Sequence, residues 1–453
     1  MRSVRELTSW SSGTADPEQF PYHVVVAEFN RVGKHFVDKE LLARLARVRV
    51  QVTARTPAAH PLSAFLDVAL DKWDARYDYR SYLALPLLPL PTTTAPARPR
   101  DQVPAGQHAP ATPDSQHAPA GADRQHGLAG PGAGDGGRRE RDRLLVDLVA
   151  DAVAFELAAS AGVTDLLPEQ RPGPTLVTKR CRLAVRAVFA ALTRLGLAAT
   201  VTDPDPVTAA VALHRLAVAD RDPARELALR LSMLPVYVSH DEYLFIRVLQ
   251  AYECLFAGVA EELRATITEL ATGRSRAAAA RLAYARDLLG GAGALFSLLA
   301  TMQPAAFRTF REYTEGASAI QSRSYKLMES LCRTPEPARL DSTAYRSVPE
   351  VRDLVRAGHP SIDHAYRAAV RDGRLRDADH ALVRQQMAAF AEAVLTWRRT
   401  HHRLAVRMLG SRSGTGYTEG TPYLAAVRSV PVFTAVSTDP RPTPTDPMGG
   451  HPE

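Results

Sequence analysis

The chain has 453 residues, 45% hydrophobic and 23% charged, which excludes a fibrous or wholly disordered protein and suits one large domain or two to three small ones. Its net charge of +7 comes mainly from arginines spread along the chain, which argues against a nucleic-acid partner, since that would gather basic side chains on one face. The three cysteines, Cys181, Cys254 and Cys332, lie far apart without CxxC spacing, so buried free thiols in a reducing compartment are expected rather than a disulfide framework.

In chain order, residues 1–20 are polar, and MRSVRELTSWSSG has no apolar stretch of the signal-peptide kind. Phe20 to about Leu90 reads as ordered. It holds a predicted strand over His23–Ala27, a helix near Lys39–Val48 and another over 61–75 with Leu62, Phe65, Leu66, Val68 and Leu70. Residues 91–140 are Pro-, Ala- and Gly-rich, repeat QHAPA at 107–111 and 116–120, and carry too little apolar surface to offset chain entropy; a disordered linker is expected. Its histidines, His108, His117 and His126, have no metal-ligand spacing.

From Arg141 the pattern is helical. Residues 141–161 place Leu144, Leu145, Leu148, Val149 and Val153 at 3–4 spacing, and 178–196 end at Gly196, a residue suited to a helix stop. Shorter helices are expected near 206–218 and 223–233, and long ones near 240–270, 275–302 and 376–410. Extended alternation is almost absent after residue 50, so the class is all-α. No run of about 18 apolar residues occurs, so no membrane association is expected and the location is expected to be cytoplasmic.

Taken singly, the polar clusters are ambiguous. Ser239-His240-Asp241-Glu242 reads first as a capped helix start. His401-His402 fits no i, i+4 zinc motif, and the glycine-rich run from Gly410 to Gly420 follows a helix and lacks the GK[ST] of a phosphate loop.

Taken together they fall into a pattern. The blocks YRSYLALPLL (79–88), HDEYLFIRVLQAYECLF (240–256), TMQPAAFRTFREYTEGASAIQSRSYKLME (301–329) and WRRTHHRLAVRMLGSRSGTGYTEGTPYL (397–424) resemble, in order, the signature blocks of the tryptophan 2,3-dioxygenase family. Residues 91–235 are outside the likeness, since the family has only a short connection there. The resemblance implies an all-α helical haem-dioxygenase core at 236–436. It is preceded by an N-terminal segment (1–90), the linker (91–140) and an inserted helical segment (141–235), and followed by a disordered tail (437–453). It implies a haem b cofactor with iron held by His401, His402 being off register; a neutral imidazole suits that role.

By the same likeness, Arg311 clamps a substrate carboxylate, a task for which a guanidinium is shaped. Arg308, one turn earlier, reads as a surface charge. Phe307 packs on the substrate ring, Thr415 holds its ammonium, and Ser318 lies near haem and substrate. Tyr79 and Tyr82 close the pocket, in the family from a neighbouring subunit, so a homo-oligomer, a tetramer, is implied.

One departure stands out. The family's distal histidine position is Leu249, one turn after Phe245 on the same helix face, and His240 is too far along the helix to replace it. Ala319-Ile320, Tyr417 and Glu419 also depart from the pattern. The implied partners are L-tryptophan or a related aromatic amino acid and dioxygen, with oxidation to N-formylkynurenine as the leading activity. The alternatives are a haem monooxygenase or peroxide-using hydroxylase of a modified tryptophan or tyrosine, and a non-catalytic haem sensor.

Overall fold

The computed structural model describes residues 2–13, 15–53, 60–90, 133–409 and 421–436. Among these residues there are helices and turns but no strand, only one isolated parallel bridge between Glu169 and Ser239. Of the linker expected at 91–140, residues 91–132 lie outside the described residues and 133–140 are instead the start of a helix; the tail at 437–453 and Thr415, Tyr417 and Glu419 also lie outside.

Four helices open the chain: α1 (Arg2–Ser12), α2 (Tyr22–Val32), α3 (Lys39–Thr53) and α4 (Pro61–Ala69). The strand expected at His23–Ala27 is instead the first part of α2. Three consecutive valines are compatible with either state, but Val24, Val25 and Val26 are all buried and Tyr22, Val25 and Phe29 repeat at helical spacing. Among the described residues no segment is extended to pair with a strand there. These helices enclose a core of their own around Val25, Phe29, Leu41, Leu45, Phe65 and Leu66. This lobe is joined to the rest at Gly33, whose φ of +81° lets the backbone approach Val236 so closely that a Cβ would lie 2.6 Å from its carbonyl oxygen. Next to it, the amides of Lys34 and His35 donate to the carbonyls of Pro235 and Val236, and the buried Lys34 ammonium pairs with Asp71 at 2.6 Å.

A short helix, α5 (Tyr79–Tyr82), follows, with Asp78 forming a reciprocal cap with Ser81. Then come α6 (Ala133–Ser160), α7 (Pro174–Leu195), α8 (Pro206–Asp220), α9 (Pro223–Leu231), α10 (His240–Ala271) and α11 (Ser275–Leu299). α6 starts at Ala133, ahead of the apolar periodicity read from Arg141, and Arg138 in its first turns donates twice to Glu262 of α10. α7 stops at Gly196 in the left-handed conformation. The chain ends with α12 (Pro304–Arg311), α13 (Arg323–Cys332), α14 (Pro337–Leu340), α15 (Thr343–Arg346), α16 (Pro349–Arg356), α17 (Ile362–Arg371), α18 (Asp377–Leu409) and α19 (Thr421–Val427).

α10 is the axis of the molecule. It packs against α11, α6, α13 and α17, while α18 lies along α11. It is long and apolar enough to cross a membrane, but 89% of its most apolar window is buried inside the protein, which marks a core helix. α6 to α8 share one apolar core with α10 and α11, so the segment at 141–235 forms part of the wall that shields the axis. Cys181, Cys254 and Cys332 are free and buried in that core, as expected.

The start of α10 is fixed by ion pairs rather than by Ser239, whose side chain makes no cap bond. Arg180, fully buried, bonds Glu156 at 2.6 Å, Asp241 at 2.7 Å and Thr301 at 3.1 Å. His240 stacks on Phe155 and faces Glu156 at 3.2 Å. Removing one member of such a buried pair costs about 3–5 kcal/mol, because the charge left behind has no solvent. Arg180 of α7 thereby joins α6 and α10, and His240 packs beside it against α6.

Candidate active site

α10 turns one face inward along a stripe of Phe245, Leu249, Glu253 and Phe256, at the spacing that brings helical residues into line. That stripe is one wall of a cavity of about 250 Å³. α5 contributes Tyr79 and Tyr82, α12 contributes Phe307, Phe310 and Arg311, and the loop before α13 contributes Ser318 and Ile320. The facing wall is Trp397, His401, Leu404 and Met408 of α18, closed by Tyr423 and Leu424 of α19.

Eight side chains singled out in the sequence thus border one cavity: Tyr79, Tyr82, Phe245, Leu249, Phe307, Arg311, Ser318 and His401. His402 does not border it, and Arg308 is exposed on the outer side of α12.

His401 is half-buried and opens onto the cavity. Burial, reinforced by the neighbouring His402, pushes its pKa down to about 4, so the imidazole is neutral at physiological pH. Its ring lies against Trp397, centroids 5.0 Å apart, and is stacked with Phe296 at 6.1 Å. One turn earlier on α18, Arg398 is buried and donates to the Tyr325 hydroxyl at 2.9 Å and the Val430 carbonyl at 2.6 Å. Its guanidinium also faces Glu329 at 3.5 Å. Burial alone would raise the Glu329 carboxyl, but Lys326, Arg339 and Arg398 surround it and hold it down at about 2. A permanently charged cluster therefore fixes the turn of α18 that presents His401.

The surroundings fit a haem group. A neutral imidazole is the form that ligates iron, and the walls near it, Phe256, Leu404, Met408, Leu424 and Val427, are apolar enough to take a flat macrocycle.

On the α10 side the wall is aromatic. Phe245 lies 5.7 Å from Phe307 and 5.3 Å from Phe310, and Phe307 meets Phe310 edge-on at 5.5 Å. Leu249, 8% exposed, continues this surface. Tyr82 reaches out of the cavity to donate to Glu242 at 3.2 Å. The Tyr79 amide donates to Gln321 Oε1 at 3.0 Å, and the Ser318 amide donates to the same oxygen at 3.1 Å, so Gln321 ties α5 to the serine loop. Gln250 ties the other end of the block by donating to the Leu83 carbonyl at 2.8 Å. Tyr79 and Tyr82 thus line the cavity together with α10, α12 and α18.

The sequence did not single out Glu253. It is 1% exposed and borders the cavity one turn beyond Leu249. Burial raises its pKa, against the opposing pull of the Ser322, Ser324 and Tyr79 hydroxyls around it. The signal was its i+4 relation to Leu249 on a helix face already known to be functional. Lys326 and Tyr423, 3.4 Å apart, were also missed, because nothing in the local pattern separates them from ordinary helix-surface residues.

A long-helix core around one aromatic cavity, with a neutral histidine on its wall, is the architecture of a helical haem oxidoreductase. Comparison with known proteins agrees. Residues 230–356 match the family model for tryptophan 2,3-dioxygenase. Among curated relatives, a tryptophan 2,3-dioxygenase of a Nocardioides species is 30% identical over 214 residues, covering 41% of this chain and 79% of the relative. One from an Anaeromyxobacter species (strain K) is 29% identical over 223 residues, 43% of this chain and 84% of the relative. The chain belongs to the tryptophan 2,3-dioxygenase family and is a haem-dependent oxidoreductase.

Proposed function

We propose that the protein oxidises L-tryptophan or a close derivative with dioxygen, the leading outcome being cleavage of the indole 2,3 bond to N-formylkynurenine. The observation that carries this is the meeting of His401 and Arg311 on the walls of one cavity. A protein that only stored haem would have no use for the second.

Haem, when bound, supplies the dioxygen chemistry. This chain's residues bind and orient. His401 would hold the haem iron. Arg311 offers a planar, permanently charged fork to the substrate carboxylate. Phe307 and Phe245 would grip the ring, and Ser318 borders the same cavity, by family likeness near haem and substrate. Tyr79 and Tyr82 shut out water, which strengthens the Arg311 ion pair. Thr415, by family likeness, holds the ammonium. Fixing both ends of the amino acid keeps the ring in one pose, which is worth a large part of a rate enhancement.

The apolar wall at Leu249 favours a second reading, transfer of a single oxygen atom from hydrogen peroxide, with water as the other product, to a modified tryptophan or tyrosine. Mass spectrometry of products from the reduced, haem-loaded protein with tryptophan, tyrosine and oxygen, or with hydrogen peroxide in place of oxygen, separates the two. Gain of both oxygen atoms with N-formylkynurenine is the expected result, gain of one supports the second reading, and unchanged substrates sink the cleavage of plain tryptophan.

Assembly as a homotetramer, implied by the family likeness, is part of this proposal. Light scattering should find four times the 49.2 kDa chain mass, and an active monomer would remove this part.

A further inference from the structure

Glu253 borders the cavity four residues beyond Leu249, about 6 Å further along α10, and is 1% exposed. Among the described residues it is the only carboxylate on the cavity wall. The hydroxyls of Ser322, Ser324 and Tyr79 stand around it, yet neither of its carboxylate oxygens has a hydrogen-bond partner. Other polar groups on the wall satisfy themselves by donating locally. Tyr82 donates to Glu242 at 3.2 Å, Tyr252 to the Ala292 carbonyl at 3.0 Å and Thr314 to the Arg311 carbonyl at 2.8 Å. A carboxylate has no such recourse, because it only accepts. A buried polar group without a partner is costly, and it persists where a ligand supplies the missing partner. Glu253 also lies between the two ends of the cavity that the amino-acid reading uses. Phe245, about two turns before it, packs on Phe307 and Phe310 beside Arg311, and Phe256, one turn after it, packs on Trp397, one turn before His401.

Resting on the amino-acid reading above, we infer that Glu253 determines specificity by accepting the hydrogen bond of the substrate's indole N–H, which the apolar Leu249 cannot accept. Ionised or neutral, the carboxyl keeps an oxygen that accepts. An indole amino acid held by Arg311 at its carboxylate and by Glu253 at its N–H is fixed at both ends. Without the acceptor the N–H would lose its water and gain nothing, which weakens binding by about fivefold to a hundredfold.

The test compares three L-amino acids on the haem-loaded full chain by calorimetry: tryptophan, 1-methyltryptophan, and benzothienylalanine, in which sulfur replaces the ring N–H. Tryptophan is expected to bind the parent tighter than either donor-free ligand by about fivefold or more. Glu253→Leu should abolish that preference, and Glu253→Gln, which retains an acceptor oxygen, should keep it. Should Glu253→Leu fail to fold, infrared difference spectra decide: the carboxyl band that Glu253→Gln removes should shift with tryptophan and stay in place with the sulfur analogue. A preference for tryptophan that survives undiminished in Glu253→Leu, or a carboxyl band that ignores tryptophan, overturns the inference. Equal binding of all three by the parent, lost together in Arg311→Ala, overturns this inference and leaves the amino-acid reading standing. Binding of none of the three overturns both.

Discussion

His401→Ala is expected to yield a folded protein that purifies without haem and shows no Soret band, while His402→Ala retains most of its haem. The two histidines are adjacent in sequence but a helix turns about 100° between successive residues, so they cannot serve one site equally. His401 borders the cavity, stacks with Phe296 and is desolvated. His402 lies outside, near Arg428. The loss should be nearly complete, because the neighbouring walls offer the macrocycle shape and apolar contact but no second imidazole. Circular dichroism checks that the helices persist, which is expected because the ring can be removed without touching the Arg398–Tyr325–Glu329 cluster. Haem lost from His402→Ala and kept by His401→Ala would sink the assignment.

Arg311→Ala should keep its haem yet lose the spectral shift produced by an aromatic amino acid. The expected cost is about 2–5 kcal/mol, the range for losing a desolvated charge-assisted pair. Two controls bracket it. Arg308→Ala, one turn away and exposed, should bind like the parent. Tryptamine, which lacks the carboxylate, should bind the parent poorly and be indifferent to Arg311→Ala. If tryptamine and tryptophan bind the parent equally, the clamp is elsewhere.

The long helices were readable because their apolar residues repeat over several turns and their ends are marked. α7 stops at Gly196, and α8 and α9 start at the capping residues Asp205 and Asp222. The stretch at His23–Ala27 was misjudged because a short valine run carries no period, and its state is decided by what packs around it. The site was visible where a motif joins several residues, as in F-x-x-F-R or W-R-x-x-H. It was invisible where a role comes from contacts distant in sequence. Glu253, the Gln321 bridge between Tyr79 and Ser318, and the charged cluster around Glu329 all depend on chain crossings that no local pattern encodes. The service of α6 to α8 in walling the axis was hidden for the same reason.

Tyr79 and Tyr82 sit in the cavity of their own chain, held there by Gln321, Glu242 and Gln250. Closure by the same chain is a unimolecular event. A closing element on the same chain acts at a fixed effective concentration, about millimolar for short flexible tethers, whatever the amount of protein in solution. A pocket finished by a neighbour obeys mass action instead and opens as subunits part. Activity per haem across a dilution series tells the two apart: it stays constant where the same chain closes the pocket and falls where a neighbouring subunit does.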